Sequence, residues 1–333
     1  MNIRLAILIS LVMVTSVAAY WLIFKSSNSE QITQSLWLED LSSQSASVQQ
    51  IEVVNASGTL FKARKEQGQW QATHLDTRLG FPVDTGALAS LVNALSRAKV
   101  IETKTANPEY YHRLGVEEIT KKDAQSTRIL LQGTNTRWRV IVGNEAANGV
   151  GTYVRTAGDS QSLLVDQAFQ LPAGPGDWLT RQVLPFTADD VVKVVVRYRD
   201  NQPVQFVRTQ ESIDSAWQLT DLQENEHLVY PTVIEQTVQE LTSLNYDNAI
   251  AYVENQWEGE KLIGDVTFTL TDRSQVFAYL SQPNEAGSHK VWFSMPDNPS
   301  WVSDWVFLLS EFNSKSYMIG RGDVVSLKET ENE

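Results

Sequence analysis

The feature that most constrains this fold is a pattern that occurs twice. Strands are expected at 51–54 and 60–64, then a short one at Trp70-Gln71-Ala72. A helix follows in which Leu88, Leu91, Val92, Leu95 and Ala98 form one apolar stripe. The same order returns at 192–198, 204–208 and Trp217-Gln218-Leu219, ahead of a helix carrying Ile234, Val238, Leu241 and Leu244. Trp70 to Trp217 is an offset of 147 and Leu88 to Ile234 of 146, so one gap separates the registers. A repeat of this kind builds two like units.

The second half of each unit also corresponds. Strands at 128–132, 138–142, 153–156 and 163–166 lead to a helix expected near Trp178, with Asp177 as its N-cap. Strands at 266–271, 276–280 and 291–294 lead to one expected near Trp301. Val266, Phe268 and Leu270 alternate with Thr267, Thr269 and Thr271, the signature of a half-buried antiparallel strand. Trp70 and Trp217, and Trp178 and Trp305, recur at equivalent places and are expected in the two cores. The predicted class is α+β, with two tandem repeats of an antiparallel sheet packed with helices. The first unit is placed at 51–185 and the second at 186–319, and 320–333 is expected to be a disordered tail. On this division residues 186–323 should fold when expressed alone.

Ahead of the repeats, Leu5 to Phe24 is free of charge, flanked by Arg4 and Lys25. Twenty such residues match a hydrocarbon core of about 30 Å. Tyr20-Trp21-Leu22-Ile23-Phe24 continues the run past any signal-peptidase site and suits the interface, so the segment is expected to be an uncleaved anchor. Residues 1–4 then lie in the cytoplasm, 5–24 span the membrane, and 25–50 form a juxtamembrane linker. The slight basic excess at the N-terminal flank favours a single-pass protein of the bacterial inner membrane with its bulk in the periplasm.

Charge narrows the partners. The chain carries -13 overall, and residues 186–333 hold 24 acidic against 10 basic side chains. Such a surface repels nucleic acid, and no nucleic-acid partner is expected. The absence of cysteine rules out disulfides, thiolate metal sites and a cysteine nucleophile. His74, His112, His227 and His289 lack metal-site spacing, and the stretch Gly143 to Gly151 has neither the Lys-Ser/Thr nor the helix of a phosphate-binding loop. That stretch is expected to connect strands. The pairs Glu117-Glu118 and Asp189-Asp190 diverge as neighbours and make poor acid/base dyads. No catalytic residue, cofactor, metal or nucleotide is predicted. The candidate site is a basic strip of Arg128, Arg137, Arg139 and Arg155 on adjoining strands, suited to an acidic partner, a carbohydrate or a phosphate group.

Several short segments carry a resemblance: Tyr111-His112-Arg113-Leu114-Gly115-Val116, Val140-Ile141-Val142-Gly143, Gly151-Thr152-Tyr153-Val154-Arg155, and Asp177-Trp178-Leu179 running through Leu184-Pro185-Phe186. In this order they resemble the bacterial family called domain of unknown function 4340 (DUF4340). The resemblance implies a membrane-anchored envelope protein that works beside a separate ABC-type permease and its ATPase. The leading expectation is therefore a non-catalytic periplasmic accessory or scaffold protein. The alternatives are a periplasmic module binding a glycan, lipid or peptide and, further off, an unrecognised enzyme.

Overall fold

The computed structural model describes residues 35–147, 149–199, 201–208 and 216–328. The expected anchor at 5–24 lies outside them. Among the described residues no helix is long and apolar enough to cross a membrane.

In chain order the elements are α1 (Glu39–Gln44), β1 (Gln50–Asn55), β2 (Gly58–Glu66), β3 (Gln69–Ala72), β4 (Phe81–Pro82), α2 (Thr85–Arg97), β5 (Val100–Thr103), α3 (Tyr111–Leu114), β6 (Thr127–Gln132), β7 (Arg137–Glu145), β8 (Thr152–Thr156) and β9 (Ser162–Val165). There follow β10 (Val191–Tyr198), β11 (Val204–Arg208), β12 (Trp217–Leu219), β13 (Glu226–Leu228), α4 (Val233–Ser243), β14 (Asn248–Ala251), α5 (Glu254–Trp257), β15 (Leu262–Leu270), β16 (Gln275–Ser281), β17 (His289–Ser294), β18 (Trp305–Leu309), α6 (Arg321–Val324) and β19 (Val325–Leu327). By packing, the chain forms two compact units that interleave in sequence. Of the described residues, one is built from those up to 48 and from 90–170, the other from 49–89 and from 171 onward. The sequence-based division at 51–185 and 186–319 partitions the same strands differently.

In the first unit β6, β7, β8, β9 and β5 lie side by side, all antiparallel. Alternation buries Ile129, Leu131, Val140, Val142 and Val154 on one face. The other face is partly covered by the excursion between β5 and β6, where Tyr111 and Val116 pack on Ile141 with Leu114, Tyr153 and Ala157 around them. The single turn α3 ends at Gly115 in the left-handed conformation, φ +65°. Gly143 on β7 lets the Leu114 and Gly115 carbonyls approach, since any side chain there would strike them. Gly151, at φ +87°, lies against the Val165 carbonyl in the same way. The glycines between 143 and 151 therefore close a strand connection, in which Ala146 N–H donates to the Gly151 carbonyl at 2.9 Å.

In the second unit β12, β11, β10, β15, β16, β17, β18 and β14 form an eight-stranded sheet. Its inner face carries Val194, Val196, Phe206, Val266, Phe268, Ala278, Phe293 and Phe307. Ile234, Val238 and Leu241 of α4, spaced i, i+4 and i+7, are buried, and Tyr317 donates its hydroxyl to the Leu241 carbonyl at 3.3 Å. Strands β1 to β4 form an antiparallel meander in this unit. Its Phe81 ring meets Trp305 at 5.0 Å, Trp301 at 5.2 Å and Tyr246 at 6.0 Å.

Three sequence expectations change. No helix begins at Trp178: Asp177 accepts from the Ala173 and Gly174 amides inside a tight loop, and Trp178 has φ +62°. The segment instead runs beside β4, with Asp84 N–H donating to the Trp178 carbonyl at 2.8 Å. At 301 only a short 3-10 turn, Trp301–Asp304, precedes β18. Of the four recurring tryptophans, Trp305 is fully buried while Trp70, Trp178 and Trp217 are half-buried.

The third change concerns the tail expected to be disordered from 320. Residues 321–327 form α6 and β19, and β19 pairs antiparallel with β13. Arg321 pairs with Glu226 and reaches Asp221 at 2.8 Å, so it fastens the strand that follows. The Arg321 guanidinium holds the Glu226 carboxyl below the usual carboxylate range. That contribution is complete near neutrality and fades as pH falls through the lowered value. Arg321→Ala is expected to speed tail cleavage in limited proteolysis severalfold at pH 7, and acidification of the unaltered protein to do the same.

Candidate functional site: an open, aromatic sheet face

Register places the four predicted arginines on one face, because Arg128 and Arg155 both lie opposite Ile141 on its two sides, and Arg137 and Arg139 share the Ile141 side of β7. The structure separates them by burial. Arg137 and Arg139 are exposed and Arg128 half-buried. Arg155 is only 3% exposed. Its guanidinium donates to the carbonyls of Val116 at 3.1 Å and Asp159 at 2.8 Å and to Glu118 Oε1 at 2.6 Å, and it lies 4.7 Å from the Tyr111 ring centre. Arg155 therefore leaves the proposed strip. It fastens the 105–126 excursion to the sheet, and the cover it holds is what removes it from solvent.

The exposed members can be tested separately from the fold. The double substitution Arg137→Glu, Arg139→Glu should leave the unfolding free energy of the purified protein, read from a urea titration, within about 0.5 kcal/mol of the original.

A second surface, which sequence reasoning missed, lies on the outer face of the eight-stranded sheet. Directly opposed residues form an unbroken row across six strands: Arg197, Asp265, Tyr279, Trp292, Val306 and Ile250. Beside it run Gln205, Val195, Thr267, Phe277 and Ser294. The Tyr252, Trp292 and Tyr279 rings stack, at 4.6 Å with 14° between planes and then 5.7 Å with 19°. Phe277 extends the stack beyond Tyr279 at 6.5 Å and 18°. The turn α5 folds over one end through Trp257, which meets Trp292 at 5.8 Å. Phe277, Tyr279, Trp292 and Tyr252 remain half-buried and Ile250 is exposed, while Val306 and Val195 in the same rows are buried. The signal was present as alternate positions along β16 and β17, but polar neighbours hid which alternate set faced outward.

At the β10 end this face sinks into a hollow of about 830 Å³, lined among others by Arg197, Arg199, Lys261, Gly264, Asp265 and Tyr279. A bulge in the β15–β16 register between Leu262 and Gly264 opens it. A side chain at Gly264 would come within 2.7 Å of the Arg197 carbonyl, so a residue without one is required where β15 meets β10. Arg197 donates to Asp265 Oδ2 at 2.8 Å, and the Arg199 guanidinium lies 4.9 Å from the Tyr198 ring centre. Burial raises the Tyr279 hydroxyl above its usual range, with the Asp265 charge adding to it, so the phenol stays protonated at neutral pH.

The histidines have local partners. His74 Nε2 lies 2.7 Å from the Pro175 carbonyl, and buried His289 Nδ1 lies 2.9 Å from the Ser281 carbonyl. Among the described residues no group of three His, Asp or Glu side chains is arranged to hold a metal. The adjacent carboxylates do diverge: Glu117 is buried and accepts from the Gln125 amide, while Glu118 meets Arg155. Asp190 accepts from Thr187, and Asp189 lies 3.6 Å from Arg208.

These features define a sheet-rich protein of antiparallel sheets with a few helices and a broad open face. Its sequence matches the family described as domain of unknown function (DUF4340) over residues 74–261, more than half of the chain, and the chain belongs to that family. No curated protein and no solved structure gives a significant match.

Proposed function

We propose that this chain is a non-catalytic, membrane-anchored periplasmic accessory protein of an envelope complex, one associated with ABC-type transport, and that it holds a partner protein on the open sheet face. The observation that carries this reading is the cross-strand row from Tyr279 through Trp292 to Ile250. Aromatic side chains held rigid by stacking give contact area at low entropic cost, the composition of an interface centre. The hydroxyl and amide groups of Thr267, Ser294 and Gln205 beside it suit a polar rim. In this reading Leu5 to Phe24 is the single-pass anchor and the exposed arginines are a second contact for an acidic partner.

Tandem duplication belongs to the same proposal. Two features support it: the order of four strands, a helix, a strand, a short helix and four strands occurs twice, and β5 caps β9 as β14 caps β18. Duplication would then supply two similar sheets whose outer faces have diverged, one basic and one aromatic.

A photo-crosslinking residue at Ile250 in living cells, followed by purification, tests the partner. Recovery of permease subunits supports the accessory role. A retained glycan, lipid or peptide in place of protein would transfer the chain to the binding-module class. Alkaline phosphatase fused after Glu333 should be active, and an inactive fusion overturns the periplasmic placement.

A further inference from the structure

The second half of the chain is strongly acidic, yet three of its ten basic side chains meet in one hollow with, among the described residues, a single carboxylate. We propose that the hollow formed by Arg197, Arg199, Lys261 and Tyr279 is a binding site for a phosphomonoester. The hollow shares Arg197, Asp265 and Tyr279 with the cross-strand row, but the proposal does not rest on the partner assigned to it.

The charge count selects the ligand class. Arg197, Arg199 and Lys261 against Asp265 leave two positive charges, which a phosphomonoester dianion balances and a single carboxylate does not. Two guanidinium groups suit paired oxygens of a phosphate, and Lys261 adds a mobile point charge. Asp265 engages one nitrogen of Arg197, so it orients that fork at the mouth of the hollow. The protonated Tyr279 hydroxyl is a further donor. Leu262, Ile263 and Pro283 line the rest, and the volume exceeds that of bare phosphate, which leaves room for an esterified glycerol or sugar. The β15 bulge and the close approach of Gly264 to the Arg197 carbonyl shape this depression. Glu260, next to Lys261, is already paired with Lys290 and leaves the hollow's balance unchanged.

Titration of the purified full-length chain with sn-glycerol 3-phosphate, inorganic phosphate and water-soluble dihexanoyl phosphatidic acid, followed by calorimetry, tests this. Saturable binding of sn-glycerol 3-phosphate is expected at pH 7.5, and weaker binding at pH 5, where the ester carries one charge, its second pKa being about 6. Arg199→Gln with Lys261→Gln should weaken binding by about tenfold or more while leaving the thermal transition in place. Gln282→Glu, which adds a charge at the exposed rim, should do the same and serves if the first variant fails to fold. Tighter binding of dihexanoyl phosphatidic acid assigns the site to a lipid headgroup; equal binding assigns it to a soluble ester. The proposal fails if neither ester binds saturably, if glucuronate binds as tightly, or if the folded variants bind like the unaltered chain.

Discussion

Phe81→Ala is expected to lower the unfolding free energy by about 3–5 kcal/mol, read as a shifted urea midpoint at unchanged slope. Phe81 is fully buried, and its ring makes edge contacts with Trp301, Trp305 and Phe307 at 81°, 79° and 70° between planes. Truncation would remove several of these paired rings at once and leave a cavity among side chains too large to collapse into it. The same packing gives an outcome for the fragment 186–323. Without Phe81 and the loop through Trp178, it exposes Trp305 and Phe307 to water, so it should show helix and strand signals but no cooperative thermal transition. A cooperative transition in that fragment would support the sequence-based division at 186.

Arg155→Ala should cost about 1–3 kcal/mol, against about 0.5 kcal/mol or less for Arg139→Ala on the neighbouring strand. Removal of the guanidinium strands the buried Val116 carbonyl and removes the cation from the Tyr111 face. The Asp159 carbonyl lies in an exposed residue and the Glu118 carboxylate is half-exposed, so both recover water and the Val116 carbonyl accounts for most of the loss. Arg155→Lys should recover only part, because one ammonium cannot reach all three acceptors from the geometry of a planar fork. Denaturant titrations of the three variants settle the ranking. If Arg139→Ala matches Arg155→Ala, the assignment of the strip and the fastening is reversed.

Much of the secondary structure was legible because period and burial agree. Leu88, Leu91, Val92, Leu95 and Ala98 are all buried as the apolar stripe of α2 predicts, and Val266 and Phe268 face inward while Thr267 and Thr269 face outward. The reading failed where conformation depends on contacts distant in sequence. Trp178 adopts a left-handed backbone held by Asp84, which no local pattern announces. β19 forms only because β13 lies ready a hundred residues earlier. For the candidate sites, alternation showed which arginines share a face, but it could not show the excursion that covers Arg155. The cationic hollow was invisible for a similar reason: Arg197 and Lys261 meet through strand register, not through proximity in sequence.

The interleaved packing has a consequence for how the chain is made. The rings that Phe81 packs against lie 220 residues further on, at Trp301. At a synthesis rate of about 5–20 residues per second, the wait between them is about 10–45 s. During that interval β1 to β4 emerge with an uncovered apolar side, and their final neighbours do not yet exist. The early strands therefore depend on protection by other factors during biogenesis, so depleting holdase chaperones should reduce the yield of this protein more than slowing any single folding step.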